Sequence, residues 1–208
     1  MIACSLALLR FNASGLDGLS RKLDGKKRRY AIHLEQNKGG VETSSDYTIS
    51  LAPKKPQKDD KPGGYIVLLT DLIWKFGDTS KRMAKFGGGP ITMGDRLIPS
   101  GVVTPGFELA PLLSFYVPGT DETPSAIIPV LIGDLGSDVS LKGAARLELL
   151  SVEGQAIDLE GELTSPKNAP LQFTSKAWID PLSGWPISAS ASIKGESLTV
   201  VYTLKLKS

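Results

Sequence analysis

The sequence predicts a mainly β protein: a single curved antiparallel sheet, or half-barrel, with little helix. Five consecutive segments between residues 143 and 207 alternate apolar and polar side chains with the period of two that a strand imposes. Clusters of turn-forming residues separate these segments, and the chain contains 22 glycines and 14 prolines. Hydrophobic and charged contents of 41% and 22% are those of an ordinary globular protein.

The five C-terminal segments predict a meander, because each connection is short enough to make neighbouring strands antiparallel. If its apolar side were fully buried, it would contribute on the order of 20 to 40 kcal/mol, so we expect this side to be covered. The side chains predicted to share it are Ala145, Leu147, Leu149; Ile157, Leu159, Leu163; Phe173, Ala177, Ile179; Ile187, Ala189, Ala191, Ile193; and Leu198, Val200, Tyr202, Leu204, Leu206.

The first 76 residues predict further strands. Residues 30–34 and 47–51 both alternate and are separated by Asn37-Lys38-Gly39-Gly40, which indicates a pair of strands. Residues 65–76 predict either a strand buried on both faces or a strand that bends near Asp71. Residues 1–24 are expected to form a short helix or an edge strand, and the proline- and lysine-rich residues 52–64 an exposed mobile loop.

Residues 77–142 carry too many prolines and glycines for long regular elements. They nevertheless contain apolar clusters, such as those at residues 107–116 and 127–131, that do not suit a solvated linker. We therefore expect an irregular cover of short extended pieces laid over the apolar face of the meander. On this reading the chain is one β domain, residues 1–208, with N-terminal strands (1–76), a cover (77–142) and a meander (143–207).

No residue pattern indicates catalysis, and we predict a protein that is not an enzyme and uses no cofactor. The single histidine, His33, lies in a predicted strand without a nucleophile-elbow motif, which favours a structural or surface role. One cysteine, Cys4, and one histidine cannot form a closed zinc site, so no metal site is predicted. Gly87-Gly88-Gly89 lacks the lysine and hydroxyl residue of a phosphate loop.

Charge and hydropathy limit the partners. A net charge of +2 is too small to predict nucleic-acid binding. The basic cluster Lys26-Lys27-Arg28-Arg29 is a candidate for phosphate or membrane-surface contact, although a solvated edge or turn is favoured. No apolar run is long enough to span a bilayer, so the protein is not expected to be transmembrane. Residues 1–9 lack the basic region and full apolar core of a clear secretory signal.

The segment Ala177-Trp178-Ile179-Asp180-Pro181-Leu182-Ser183-Gly184-Trp185-Pro186, with the two strands that follow it, resembles the closing hairpin of certain uncharacterised bacterial envelope proteins. These are similar to the lipoprotein-carrier half-barrel superfamily, and the resemblance covers about residues 100–208. It implies one antiparallel sheet bent over an apolar cavity, in which some members of the superfamily carry lipid or acylated protein. It also implies an extracytoplasmic location, in the periplasm or cell envelope.

Two functional hypotheses follow from the apolar face. In the first, the protein is a binding module that holds a lipid or another apolar ligand, with Phe173, Ile187, Val200 and Tyr202 lining the site. In the second, the face is a closed core and the domain has a structural or protein-interaction role, with Trp178 on the polar face as the partner anchor. The sequence leaves open whether the covered space is a pocket or a packed core, and it leaves the oligomeric state open.

Overall fold

The computed structural model describes residues 25–54, 64–85, 91–93, 99–100, 107–115, 125–128, 139–151, 154–165, 168–180 and 182–208. The predictions for residues 1–24 and for most of the loop at 52–64 lie outside these residues. Twelve strands and one 3₁₀ helix are described, the helix spanning Phe107–Phe115. The strands are β1 Arg28–Lys38, β2 Val41–Pro53, β3 Tyr65–Phe76, β4 Thr79–Lys85, β5 Ile91–Met93, β6 Pro99–Ser100, β7 Ser125–Ile128, β8 Val139–Ser151, β9 Gly154–Ser165, β10 Asn168–Ile179, β11 Pro186–Lys194 and β12 Leu198–Leu206.

All twelve strands belong to one open antiparallel sheet. Its order is β6-β5-β3-β2-β1-β12-β11-β10-β9-β8-β7, with β4 paired to β3 beside this path. The predicted C-terminal meander is therefore confirmed as β8 to β12, and the predicted fold class is confirmed with it. Because β12 pairs with β1, the meander continues directly into the N-terminal strands.

The β1–β2 hairpin closes where the sequence predicts a turn. Lys38 pairs with Val41, so the loop contains only Gly39 and Gly40. Both have positive φ, 59° and 83°, as a two-residue turn compatible with the sheet twist requires. Glycine adopts these angles without the steric cost that a Cβ would bring.

The bend predicted near Asp71 is present in β3. Asp71 has a φ of 58°, which is rare for a residue other than glycine. The register between β2 and β3 shifts at the same place, since Asp46 faces Ile73 whereas Thr48 faces Thr70. This is the pattern of a β-bulge, which increases the local twist of a sheet.

The sheet curls strongly. Trp185, just before β11, meets Tyr65 of β3 edge to face, with ring centroids 4.9 Å apart. Four strand spacings separate β3 from β11 along the sheet order, or roughly 19 Å if the sheet were flat. The contact between these two rings therefore requires the sheet to bend around its apolar side.

Residues 77–142 differ from the predicted cover of extended pieces. Their described strands, β4 to β7 and the start of β8, extend the sheet at its edges. The part that packs inside the curl is the 3₁₀ helix, which contains Pro111 and contacts β10, β11 and β12. Only two of its nine residues, Glu108 and Ser114, are polar, so neither helical nor strand periodicity marks it as a helix. The division of the chain into one domain stays a prediction.

We expect the curl to depend on Trp185. Trp185→Ala should lower the free energy of unfolding by about 3 to 5 kcal/mol, since it removes a fully buried indole and its contact with Tyr65. Urea denaturation checks this value. Trp178→Ala, at a position 40% exposed, is the matched control and should cost about 1 kcal/mol or less. Equal losses in the two variants would contradict the proposed role of Trp185.

Candidate functional site

The candidate site is the inner face of the curled sheet, formed by the inward side chains of β1, β2, β3, β10, β11 and β12. Tyrosines and aliphatic residues dominate it, and every member is at most 7% exposed. Strand alternation brings them to one side. The members are Tyr30, Ile32, Leu34, Tyr47, Ile49, Leu51, Tyr65, Val67, Leu69, Leu171, Phe173, Ala177, Ile179, Ala189, Ala191, Ile193, Val200, Tyr202 and Leu204.

The 3₁₀ helix Phe107–Phe115, called the cover helix from here on, lies against this face. Eight of its nine residues are buried, Glu108 being the exception. Phe115 meets Tyr30 of β1 edge to face, with ring centroids 4.8 Å apart. A helix that is apolar on all sides is typical of a protein interior. The cover helix therefore fills part of the space inside the curl.

A few hydroxyl groups join the cover helix to the sheet. Tyr47 of β2 donates a hydrogen bond to the carbonyl oxygen of Glu108. Ser114 Oγ lies 2.8 Å from the Tyr202 hydroxyl and 3.2 Å from Ser175 Oγ. These contacts satisfy polar atoms that would otherwise be costly to bury, and they fix the helix between β2 on one side and β10 and β12 on the other.

Burial controls the protonation of the groups around the cover helix. It raises the pKa of Tyr47 and of Tyr202 well above the ordinary tyrosine value, so both phenols stay neutral and able to donate. Burial also raises the pKa of the Glu108 carboxyl, because the charged form is poorly solvated there. The electrostatics inside the curl therefore favour neutral groups.

A group of small residues occupies the centre of the inner face. Ala177 of β10 pairs with Ala189 of β11, and Ala191 pairs with Ser175 of β10. All four are buried. Small side chains at these positions allow the cover helix, which contacts both strands, to lie close to β10 and β11.

The structure brings together three of the four residues predicted to line a ligand site. Phe173, Val200 and Tyr202 all lie on the inner face and are at most 1% exposed. Ile187 does not join them, because it is 47% exposed. The predicted burial of Ile187 is wrong, since a register shift between Trp178 and Ile179 interrupts pairing opposite the start of β11 and breaks the alternation there.

Trp178 lies on the outer face, as predicted, and is 40% exposed. Trp185 has no exposed surface, and sequence reasoning assigned it no role beyond the turn. Its signal was a large aromatic residue directly before Pro186 in a turn. Strand periodicity does not extend into turns, so the burial of Trp185 depends on the curl of the sheet.

His33 lies on the outer face in a charged cluster. Its Nδ1 lies 2.7 Å from Asp46 Oδ1 and its Nε2 3.2 Å from Glu35 Oε1, while Lys75 Nζ donates to Asp46 at 3.0 Å. The hydrogen bond with Asp46 raises the pKa of His33, against a smaller effect of desolvation. Desolvation alone would raise the pKa of Asp46, but His33 and Lys75 lower it below the ordinary value.

The outer face carries polar grooves. Two open grooves, of about 520 and 560 Å³, are lined largely by charged and hydroxyl residues, one of them including His33 and Asp46. Within the described part of the chain, no group of three or more His, Cys, Asp or Glu residues is placed to hold a metal ion. None of the described helices has the length and apolar character needed to cross a membrane.

No protein-family model matches the sequence, and no curated protein matches it. Among solved structures, one that describes lipid–protein interactions in lipovitellin is similar in fold, with a TM-score of 0.52 and 12% sequence identity. The match covers 88% of this chain and 25% of the lipovitellin chain, so the protein corresponds to about a quarter of that molecule.

Two bacterial structures show a weaker likeness over nearly the full chain. A LolA superfamily protein from Nitrosomonas europaea gives a TM-score of 0.37 and 12% identity, covering 95% of this chain and 92% of its own. A DUF1329 family protein from Desulfovibrio piger gives a TM-score of 0.28 and 8% identity, covering 94% of this chain and 89% of its own. The resemblance to the lipoprotein-carrier superfamily that the sequence predicts thus has a weak structural counterpart in the LolA superfamily protein.

We expect NMR titration to give a His33 pKa above 6.5 that falls in Asp46→Asn. Glu35→Gln is the matched variant and should have a smaller effect, because the Glu35 hydrogen bond is longer. A His33 pKa unchanged by Asp46→Asn would contradict the assigned pairing.

The same pair makes stability depend on pH. The contribution of His33 is present below its unfolded pKa and is lost as the pH rises through its raised folded pKa. The contribution of Asp46 is present above its unfolded pKa and is lost as the pH falls through its lowered folded pKa. Both side chains are at least 40% exposed, so the combined effect should be about 1 kcal/mol or less.

Proposed function

We propose that the protein is a non-enzymatic binding module that holds a lipid or another apolar ligand between the inner face and the cover helix. The observation that carries the proposal is the continuous apolar surface over six strands of a sheet that curls around it. Ligand sites are typically concave and lined mostly by apolar and aromatic side chains with a few polar groups. The hydroxyl groups of Tyr47, Ser114 and Tyr202 supply the polar groups here.

The fold likeness to lipovitellin supports this proposal, because that structure is described by its lipid–protein interactions. The likeness reaches 88% of this chain, so it includes most of the sheet that forms the inner face. At 12% identity it concerns the fold, and the side chains that would contact a ligand are specific to this protein.

Phe173, Val200 and Tyr202 would form the wall of the site, with the exposed Ile187 at its margin. Since the three wall residues are buried, a ligand would reach them between the cover helix and the sheet. The hydroxyl contacts of Tyr47 and Ser114 described above lie at this boundary, and most of the remaining surface of the cover helix is apolar. Apolar contacts can be replaced by an apolar ligand with little loss, because dispersion contacts lack strict directionality.

A second candidate function is a structural or protein-interaction role with a closed core. The near-complete burial of Phe173, Val200 and Tyr202 favours it, as does the satisfied hydroxyl group of Ser114. In this case Trp178 on the outer face would anchor a partner protein, since tryptophan is enriched among binding hot spots.

The experiment that tests the binding function is mass spectrometry of organic extracts from the purified protein, combined with Ala189→Phe. If the space above Ala189 holds a ligand, the variant should stay folded and retain at most about a tenth of the lipid, because the new ring fills that space. Ser190→Phe, which adds the same ring on the outer face, is the matched control and should keep the lipid.

If the core is closed, we expect the opposite result. Ala189→Phe would then overpack the interior and lower the free energy of unfolding by about 1 to 3 kcal/mol, with no lipid extracted from either protein. That result would overturn the proposed binding function in favour of the interaction role.

We also propose an extracytoplasmic location, on the basis of the resemblance between residues 100–208 and bacterial envelope proteins. Cell fractionation of the protein expressed in its own host checks this, with recovery in the periplasmic or envelope fraction as the expected result. Recovery with cytoplasmic marker proteins would contradict it.

A further inference from the structure

One end of the sheet differs in charge from the other. The strands place residues 25–29, 51–54, 64–66, 180, 182–186 and 206–208 together at one end, as their registers show. The described residues of these segments include six basic side chains and one acidic side chain, Asp180. The basic residues are Lys26, Lys27, Arg28, Arg29, Lys54 and Lys207.

The opposite end of the same strands is balanced. Residues 36–43, 74–80 and 194–199 carry three lysines and three acidic residues, namely Lys38, Lys75, Lys194, Glu42, Asp78 and Glu196. The basic excess is therefore a property of one end, and the net charge of +2 conceals it.

The turn between β10 and β11 projects from the basic end and presents an exposed leucine. Leu182 is 92% exposed, the highest exposure among the large hydrophobic residues described. The turn is held in place by Asp180, whose carboxylate accepts hydrogen bonds from the Leu182 backbone N–H at 3.1 Å and from the Ser183 hydroxyl. Gly184 N also donates to the Asp180 carbonyl oxygen, at 2.8 Å. An ordered turn thus holds a large apolar side chain in water.

The turn and the basic residues lie side by side. Ser188 pairs with Lys205, and Lys207 N donates to the Arg29 carbonyl oxygen, so residues before Pro186 extend beyond the level of Arg29. Two strand spacings, roughly 10 Å, separate β11 from β1 across the sheet. The Ser183 hydrogen bond lowers the pKa of Asp180, and the charge of Arg28 contributes to the same shift, which indicates that Arg28 is close to this turn.

We propose that this end of the protein docks on an anionic lipid surface, with Leu182 entering the interface and a basic rim, defined as Lys26, Lys27, Arg28 and Lys54, facing the lipid phosphates. Charge complementarity selects this occupant, because polybasic segments are attracted to anionic membranes by about 1 kcal/mol per Lys or Arg near the surface. An inserted apolar side chain next to such a rim adds the second contribution that stable attachment to a membrane surface needs.

The docking surface goes beyond the binding function proposed above and does not depend on it. Leu182 and the basic rim are exposed or half-exposed, and none of them belongs to the inner face. A protein with a closed core would keep this surface unchanged. Failure of the docking proposal would therefore not affect the proposed ligand binding, which lipid extraction tests separately.

Co-sedimentation of the full chain with vesicles tests the proposal. The protein should bind vesicles of phosphatidylcholine mixed with phosphatidylglycerol, and bind phosphatidylcholine vesicles at least about tenfold more weakly. Leu182→Asp should weaken binding to the anionic vesicles by about tenfold or more, because it replaces the inserted side chain with a charge. Lys27→Glu combined with Lys54→Glu should weaken it to a similar extent.

Matched variants at the balanced end provide the controls. Val41 is 49% exposed beside the β1–β2 turn, so Val41→Asp introduces the same charge at an exposed apolar position and should leave binding unchanged. Lys38→Glu combined with Lys194→Glu reverses two charges there and should lower binding by at most about twofold. Thermal unfolding confirms that each variant is folded before its binding is compared.

Three outcomes would overturn the proposal. Wild-type protein that fails to sediment with anionic vesicles would do so directly. Equal weakening by Leu182→Asp and Val41→Asp would show a general charge effect. A change of oligomeric state in Leu182→Asp, seen by size-exclusion chromatography without any loss of vesicle binding, would show that Leu182 contacts a second copy of the chain.

Discussion

The structure depends on one constraint, which is that an apolar face extending over six strands must be removed from water. A flat sheet with one such face would need a second layer of similar size. This chain meets the constraint differently, because the sheet bends until Trp185 reaches Tyr65 and the cover helix occupies the space within. The bulges at Asp71 and at Trp178 lie in strands of this sheet and add local twist.

The same constraint separates the two surfaces of the sheet. Inward positions are apolar or carry hydroxyl groups, and the hydroxyl groups of Ser175 and Tyr202 find a partner in Ser114. Outward positions carry the ion pairs, including the His33 and Asp46 pair, where water lowers the cost of charge. The proposed ligand site would therefore rely on apolar contacts inside the curl. The proposed docking surface would rely on basic charge and one exposed leucine at the end of the sheet.

The two proposals are compatible in geometry. The turn that presents Leu182 leads directly into Trp185, which closes the curl against Tyr65. A surface that contacts lipid would thus lie next to a structural element that bounds the covered space. The common element is the turn that contains Asp180 and residues 182–186, in which the backbone N–H groups of Leu182 and Gly184 donate to Asp180.

Much of the fold could be predicted from the sequence, because strand alternation is a local property. The period of two in β10 and β12 correctly assigned Phe173, Val200 and Tyr202 to one face, and Gly39-Gly40 marked the hairpin turn. The period did not predict the exposure of Ile187, the cover helix or the burial of Trp185. The sequence by itself determined which side of β10 and of β12 is apolar. Only the tertiary structure decided what covers that side and which charges share an end of the sheet, because both depend on contacts between segments far apart in the chain.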